Sequence, residues 1–169
     1  MWNDTDEPLA YLLTFRCYGT WLHGDERGAI DRNNNAFGSP YMRPSEEFEC
    51  FNADELKMPP VKLTARQRRS VIKTIREVCE YKGWRLIALN VRTNHVHVLV
   101  SAVSTGASTI LNSLKSYSTR RLRESGLWEK EQSPWSRRGS KRLLWNAQSV
   151  ERAADYVVNG QGGPLPEFD

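Results

Sequence analysis

The segment from His95 to Val100 constrains the fold of this chain more than any other, because its residue types alternate with a period of two. In a strand, the valines at positions 96, 98 and 100 point to one face, and His95 and His97 point to the other. Same-face neighbours on a strand lie roughly 6.5–7 Å apart, so both imidazoles can reach one divalent ion. The segment predicts a strand with two candidate metal ligands. The alternative is that both histidines simply pack on a half-polar sheet face.

The segments around this strand predict an ordered series of elements. Thr64 and Gln67 form a capping box that begins a helix, and Gly83 ends that helix. Alternation and apolar stripes predict the other elements: strands over 9–16, 84–91 and 95–101, a tight hairpin through 92–94, a helix over about 107–125, a short strand over 143–145, and a last helix from its cap Ser149 to about Asn159.

The order β-α-β-β-α-β, followed by a helix, is the split βαβ plan, also called ferredoxin-like or RRM-like. It predicts an α+β fold with a four-stranded antiparallel sheet, two helices on one face, and the other face left for a ligand or for the C-terminal helix. We expect one domain over residues 1–169. Residues 17–63, rich in Gly, Asn, Pro and acids, form a long insertion after the first strand, and insertions of that size are usually functional or disordered.

The sequence shows no signal peptide pattern at residues 1–4, and its apolar runs are short. We therefore expect a soluble cytoplasmic protein that does not associate with a membrane.

The basic residues are unevenly distributed along the chain. Residues 1–63 carry 6 basic and 11 acidic side chains, whereas residues 64–145 carry 17 basic and 5 acidic ones. Four tryptophans, at positions 84, 128, 135 and 145, are interspersed with the arginine runs. Phosphate neutralisation by arginine and base stacking on indoles together indicate a polynucleotide partner. The predicted phosphate contacts are Lys115 and Arg120 on the outer face of the second helix, and Arg137, Arg138, Lys141 and Arg142.

The C-terminal helix offers a tyrosine that can stand away from the core. At 100° per residue, its apolar stripe comprises Val150, Ala153, Ala154, Val157 and Val158, and Tyr156 lies about 120° from the centre of that stripe. By helix geometry alone, a partly exposed packing residue is the favoured interpretation of Tyr156. Tyr117, by contrast, lies in line with the buried side of its own helix.

Several of these segments together resemble the single-tyrosine HUH transposases of the IS200-like family, most closely the REP-associated tyrosine transposases. The resemblance covers nearly the whole chain. The segments are the His95–His97 strand, the helix segment 114–118 around Lys115, the segment 156–161, and the early segments 14–16 and 18–28.

The resemblance implies strand-specific cleavage and rejoining of single-stranded DNA beside a hairpin, in a bacterial, nucleoid-associated monomer or homodimer. His95 and His97 would hold Mg²⁺ or Mn²⁺, which would polarise the scissile phosphate, and the Tyr156 hydroxyl would attack phosphorus. The product would be a 5′-phosphotyrosine. A 3′-hydroxyl from another strand could then attack it, reverse the step and join DNA. Arg16, Trp21 and His23 would contact the hairpin or the strand beside it.

The sequence departs from the family at the third metal ligand, an amide that commonly lies four residues after the tyrosine. That position is Gly160 here. Gln161 can serve only if Gly160 breaks the helix, which glycine permits. Asn159 shares the side of the helix that carries Tyr156. Both residues are therefore candidates for the third ligand.

Two other functional classes remain open at this stage. One is a silent hairpin-binding protein derived from such a transposase, because ferredoxin-like sheets also bind RNA or single strands through aromatic side chains. The other is a histidine-triad phosphoesterase. That class needs a further alternating histidine, and the position that should carry it is Leu99.

Overall fold

The computed structural model describes residues 6–20 and 56–169. Trp21 and His23, two of the predicted DNA contacts, lie outside the described residues. Along the described chain the elements are β1 (Ala10–Cys17), α1 (Ala65–Lys82), β2 (Arg85–Val91), β3 (His95–Ser101), α2 (Ala107–Glu124), β4 (Trp135–Leu144) and α3 (Ala147–Asn159).

The four strands form an antiparallel sheet in the order β2-β3-β1-β4. This confirms the predicted α+β fold. The hairpin between β2 and β3 closes with a hydrogen bond from the backbone N of Arg92 to the carbonyl of His95, 2.8 Å long. Because β3 lies between β2 and β1, the His95–His97 segment occupies the middle of the sheet.

The two faces of the sheet are covered by different helices. Helices α1 and α2 pack on the face that carries Val96, Val98 and Val100, and this side holds the larger core cluster. On the opposite face, Leu99 joins a smaller cluster in which Ala153 and Val157 of α3 are buried. His97 alternates with Leu99, so the two histidines share the face that α3 covers.

Local signals in the sequence explain the ends of α1. Thr64 accepts a hydrogen bond from the backbone N of Gln67, and the Gln67 side chain accepts one from the backbone N of Thr64, which confirms the predicted capping box. Gly83 ends the helix with φ of 70°, in the left-handed region that favours glycine.

Two predicted boundaries were wrong. The last strand begins at Trp135, not at residue 143, because β4 is an edge strand whose exposed basic residues hide the usual apolar alternation while its backbone pairs with β1. The cap of the last helix is Asn146, not Ser149. The Asn146 side chain accepts a hydrogen bond from the backbone N of Ser149, 2.8 Å long.

Two predictions about individual side chains were also wrong. Val158 is 60% exposed and does not join the buried stripe of α3. Trp84, Trp128 and Trp135 are core residues, and base stacking on them is excluded because each is at most 8% exposed. Trp145, at 37% exposed, is the member of the predicted set that solvent reaches.

Candidate active site

The candidate site lies where the C-terminal end of α3 meets the start of β3. The rings of His95 and His97 are 4.8 Å apart between centroids, and the ring of Tyr156 lies 5.4 Å from that of His97 at an angle of 69°. Tyr156 is 48% exposed, whereas His97 is buried. A buried imidazole and a solvent-accessible phenol therefore lie side by side on one face of the sheet.

Gln161 completes this group. Helix α3 ends at Asn159, and Gly160 turns the chain so that Gln161 Oε1 lies 3.2 Å from His95 Nε2. The Gln161 amide nitrogen donates to the carbonyl of Tyr156, 3.1 Å away. The amide oxygen therefore faces the histidines, and the nitrogen faces the tyrosine's own backbone.

Asn159, the other candidate ligand, points elsewhere. Its side-chain nitrogen donates to Asp155 Oδ1 at 2.7 Å, and the residue is exposed. Of the two amides, the structure brings only Gln161 to the histidine pair.

Burial determines the protonation state of His97. Burial in the first place, and then the neighbouring His95, lower the pKa of His97 to about 4, while a hydrogen bond that the protonated ring would donate to Gln161 acts in the opposite direction. The positive charge of Arg16 lowers the pKa further. His97 is therefore neutral at physiological pH, which is the form that binds a metal.

Four side chains around the histidines were not identified from the sequence. Thr14 Oγ1 lies 2.7 Å from His97 Nδ1, and Asn94 Oδ1 lies 2.6 Å from His95 Nδ1. Asn90 donates from its side chain to the carbonyl of Val157 on α3, 2.8 Å away. Asn90 also lies opposite His97 in the β2–β3 pairing, so it ties the tyrosine's helix to the sheet beside the site. Arg92 holds the carbonyl of Gly163 at 2.9 Å.

A sequence signal existed for only some of these side chains. The predicted hairpin brings β2 beside the histidine strand, but a loop over 92–94 would pair Asn90 with Val96, whereas the structure pairs it with His97. The pairing of Thr14 with His97 joins strands 83 residues apart, and no local pattern fixes that register.

The predicted DNA-contacting residues are spread over both faces of the molecule. Arg16 lies on β1 opposite His95 and therefore adjoins the site. Arg142 pairs with Leu12 on the α3 face of the sheet, whereas Lys141 lies on the other face and donates to Ser108 of α2 at 3.0 Å. Arg137 and Arg138 are exposed near the start of β4.

On α2, Lys115 and Arg120 have protein contacts of their own. Lys115 Nζ donates to the carbonyl of Ser136 at 2.6 Å, and burial lowers its pKa. The Arg120 guanidinium lies 5.4 Å above the ring of Tyr117, which packs against the core on the α1–α2 side. Tyr117 is thus separated by the sheet from the histidine pair.

The acidic and thiol side chains of the described residues do not form a metal site. Within 6–20 and 56–169, no group of three or more His, Cys, Asp or Glu residues is arranged to hold an ion. The donor set at the candidate site is instead two imidazoles and one amide oxygen. None of the helices in the described ranges has both the length and the apolar character needed to cross a membrane.

Comparison with known sequences identifies the family. The sequence model of the family described as "Transposase IS200 like" matches residues 61–159, which is more than half of the chain. The chain belongs to the IS200-like transposase family. The matched region contains β2, β3, α1, α2, β4 and α3, and it includes both histidines and Tyr156. No curated protein matches the sequence.

Two solved structures are similar to this family member. One is a REP-associated tyrosine transposase bound to a REP hairpin, with a TM-score of 0.50 and 11% identity over 93% of this chain and 67% of that one. The other is a candidate transposase from Deinococcus radiodurans R1, with a TM-score of 0.47 and 15% identity over 95% and 97% of the two chains. At this identity, the likeness to the REP-associated protein shows that the two share a fold.

Proposed function

We propose that this protein is a metal-dependent transesterase that binds hairpin DNA and cleaves and rejoins the adjoining single strand through Tyr156. The observation that carries the proposal is the group on one face of the sheet: the Tyr156 ring 5.4 Å from His97, and Gln161 Oε1 3.2 Å from His95 Nε2. A nucleophile next to a candidate ion site is the arrangement that phosphoryl transfer needs.

The donor set fits a divalent ion. An amide oxygen suits Mg²⁺ or Mn²⁺, and imidazole nitrogens favour Mn²⁺ over Mg²⁺. His97 is neutral and buried, so its ring needs to lose no proton before it binds. His95, His97 and Gln161 would hold the ion, with Asn159 as the less favoured ligand because it is bonded to Asp155. When bound, the ion would supply positive charge to a non-bridging oxygen of the scissile phosphate.

Tyr156 would carry the covalent step. Its half-exposed ring lets a DNA strand approach from solvent. The phenol oxygen loses its proton and forms a bond to phosphorus, the bond from phosphorus to the 3′ oxygen breaks, and the leaving 3′ oxygen takes up a proton to become a 3′-hydroxyl. The phosphotyrosine conserves the energy of the broken bond, so attack by another 3′-hydroxyl rejoins DNA without ATP.

Family membership and charge support DNA as the partner. The similar REP-associated transposase is described as bound to a REP hairpin. In this chain, Arg16 adjoins the histidines, and Arg142 lies on the same face of the sheet. We propose that these two contact the scissile strand, and that Arg137, Arg138, Lys141, Lys115, Arg120, Trp21 and His23 make further DNA contacts.

A denaturing gel tests the covalent step. Purified protein, a labelled single-stranded hairpin DNA and Mn²⁺ should give a slowly migrating adduct. The adduct should disappear with Tyr156→Phe and with EDTA, and persist with the matched variant Tyr117→Phe, which removes a hydroxyl on the far side of the sheet. An adduct that survives Tyr156→Phe and disappears with Tyr117→Phe would overturn the assignment.

The same samples distinguish cleavage from binding alone. If native gels show tight retention of the hairpin while denaturing gels show no adduct under any metal condition, the protein is a silent hairpin-binding protein and the proposed chemistry is wrong.

A further inference from the structure

In both histidines of the candidate site, the ring nitrogen Nδ1, which faces away from Gln161, contacts a side-chain oxygen atom. His97 Nδ1 lies 2.7 Å from the hydroxyl of Thr14, which sits directly across the β1–β3 pairing. His95 Nδ1 lies 2.6 Å from the side-chain oxygen of Asn94, its neighbour in the chain. Two different sources, an opposing strand and the hairpin loop, thus place an oxygen at the same ring position of each histidine.

The chemistry of these contacts fixes the proton of His95. A neutral imidazole has one N–H donor and one lone-pair acceptor, and an amide oxygen can only accept. In a neutral His95, the contact with Asn94 Oδ1 therefore puts the proton on Nδ1, and the lone pair of Nε2 points toward Gln161. On the other side of the ring, Gln161 also presents an oxygen, because its amide nitrogen donates to the Tyr156 carbonyl. Two lone pairs then face each other across 3.2 Å, an arrangement that a bound cation stabilises.

We propose that Thr14 and Asn94 are positioning residues that keep His97 and His95 in the Nδ1–H form, so that Nε2 of each ring is the nitrogen directed toward an ion site next to Gln161. Thr14 accepts from His97 Nδ1, and Asn94 accepts from His95 Nδ1. The inference rests on the proposed metal site. The opposite arrangement, with Nε2–H of His95 donating to Gln161, would put the lone pair on Nδ1 against Asn94 Oδ1 and leave none on Nε2 for a metal.

Nitrogen-15 NMR of the imidazoles in metal-free protein tests the inference directly, because the two ring nitrogens of a neutral histidine differ in shift according to which carries the proton. We expect the Nδ1–H form for both histidines in the wild type. Thr14→Val, which replaces the hydroxyl with a methyl group of similar size, should give His97 a mixture of the two forms. Thr14→Ser should restore the wild-type pattern. For His95, Asn94→Ala should have the same effect, and Asn94→Asp should retain the Nδ1–H form.

Mn²⁺ binding, measured by electron paramagnetic resonance without DNA, is the second readout. Loss of an orienting partner typically lowers metal affinity tenfold to a hundredfold, so Thr14→Val should weaken Mn²⁺ binding by that factor and Thr14→Ser should not. Thr74→Val is the matched control. It removes a buried threonine hydroxyl on α1 that donates to the carbonyl of Ser70, and it should leave Mn²⁺ affinity unchanged.

The outcomes separate this inference from the function on which it rests. A wild-type protein with the Nε2–H form, or a Thr14→Val protein with unchanged ring protonation and Mn²⁺ affinity, would overturn the inference. A wild-type protein that keeps the Nδ1–H form but binds no Mn²⁺ would support the positioning by Thr14 and Asn94 and overturn the proposed metal site instead.

Discussion

Gly160 controls the geometry around the proposed nucleophile. A Cβ at this position would lie 2.7 Å from the carbonyl oxygen of Tyr156 and 2.9 Å from Cδ2 of its ring. The backbone angles, φ −88° and ψ 9°, are open to any residue, so the constraint is steric contact with the tyrosine. The resemblance predicts an amide four residues after the tyrosine. In this chain that position is Gly160, which leaves room for the tyrosine ring, and the amide comes from the next residue, Gln161.

Gly160→Ala should therefore slow adduct formation at least tenfold, because the added methyl displaces the Tyr156 ring from His97. Gly163→Ala is the matched control, since a Cβ there meets no atom within 4 Å. Single-turnover cleavage of the hairpin DNA measures both. Equal cleavage rates for the two variants would show that the position of the Tyr156 ring does not depend on Gly160.

The choice between the two amides is the second prediction at this scale. Gln161→Ala should weaken Mn²⁺ binding by more than tenfold, because it removes a proposed ligand, whereas Asn159→Ala should change it by less than twofold, because Asn159 is bonded to Asp155. Titration of the free protein by electron paramagnetic resonance gives both affinities. The reverse ranking would make Asn159 the ligand.

At the scale of elements, local signals predicted more than long-range pairing did. The capping box at Thr64, the left-handed Gly83 and the hairpin through 92–94 each depend on residues close in sequence. The start of β4 could not be predicted, because an edge strand exposed to solvent needs no apolar alternation. Because no strand was predicted at 137–142, its basic residues were interpreted as one cluster. In the structure these residues lie in β4, where successive side chains point to opposite faces of the sheet.

That division gives a prediction for β4. Arg142 lies on the face that α3 covers, and Lys141 is bonded to Ser108 on the opposite face. Arg142→Ala should weaken binding of a single strand carrying the cleavage site several-fold and lower the slope of log K against log salt by about 1, while Lys141→Ala should have a smaller effect. Fluorescence anisotropy over a salt series measures both slopes. Equal losses of DNA affinity for the two variants would mean that the DNA strand does not follow the α3 face of the sheet.

For the whole molecule, the C-terminal residues connect the face that carries the candidate site to the helical layer. After α3, the chain returns to the start of α1, where Arg68 donates to the carbonyl of Pro166 and Asp169 accepts from the backbone N of Ala65. Arg68 is also bonded to the carbonyl of Leu63 and is 9% exposed. The general plan of sheet and helices could be predicted from sequence order. The contact between the C-terminal residues and α1 could not be predicted, because residues 162–169 have no periodic pattern.

Arg68→Met should therefore lower the free energy of unfolding by about 1.5–3 kcal/mol, the range for buried hydrogen bonds to a charged group. Arg66→Met, on the exposed side of the same helix, should change it by less than about 0.5 kcal/mol. Urea denaturation followed by circular dichroism measures both. If Arg68→Met destabilises the protein no more than Arg66→Met does, the hydrogen bonds of Arg68 contribute little to the free energy of unfolding.

The central claim is that Tyr156 forms the covalent bond to DNA, and mass spectrometry of the trapped adduct tests it most directly. After nuclease and trypsin digestion, Tyr156 lies in the peptide 153–169 and Tyr117 in the peptide 116–120, and each peptide contains a single tyrosine. We predict the added nucleotide mass on Tyr156 of peptide 153–169. The same mass on Tyr117, or on any residue other than Tyr156, would contradict the account.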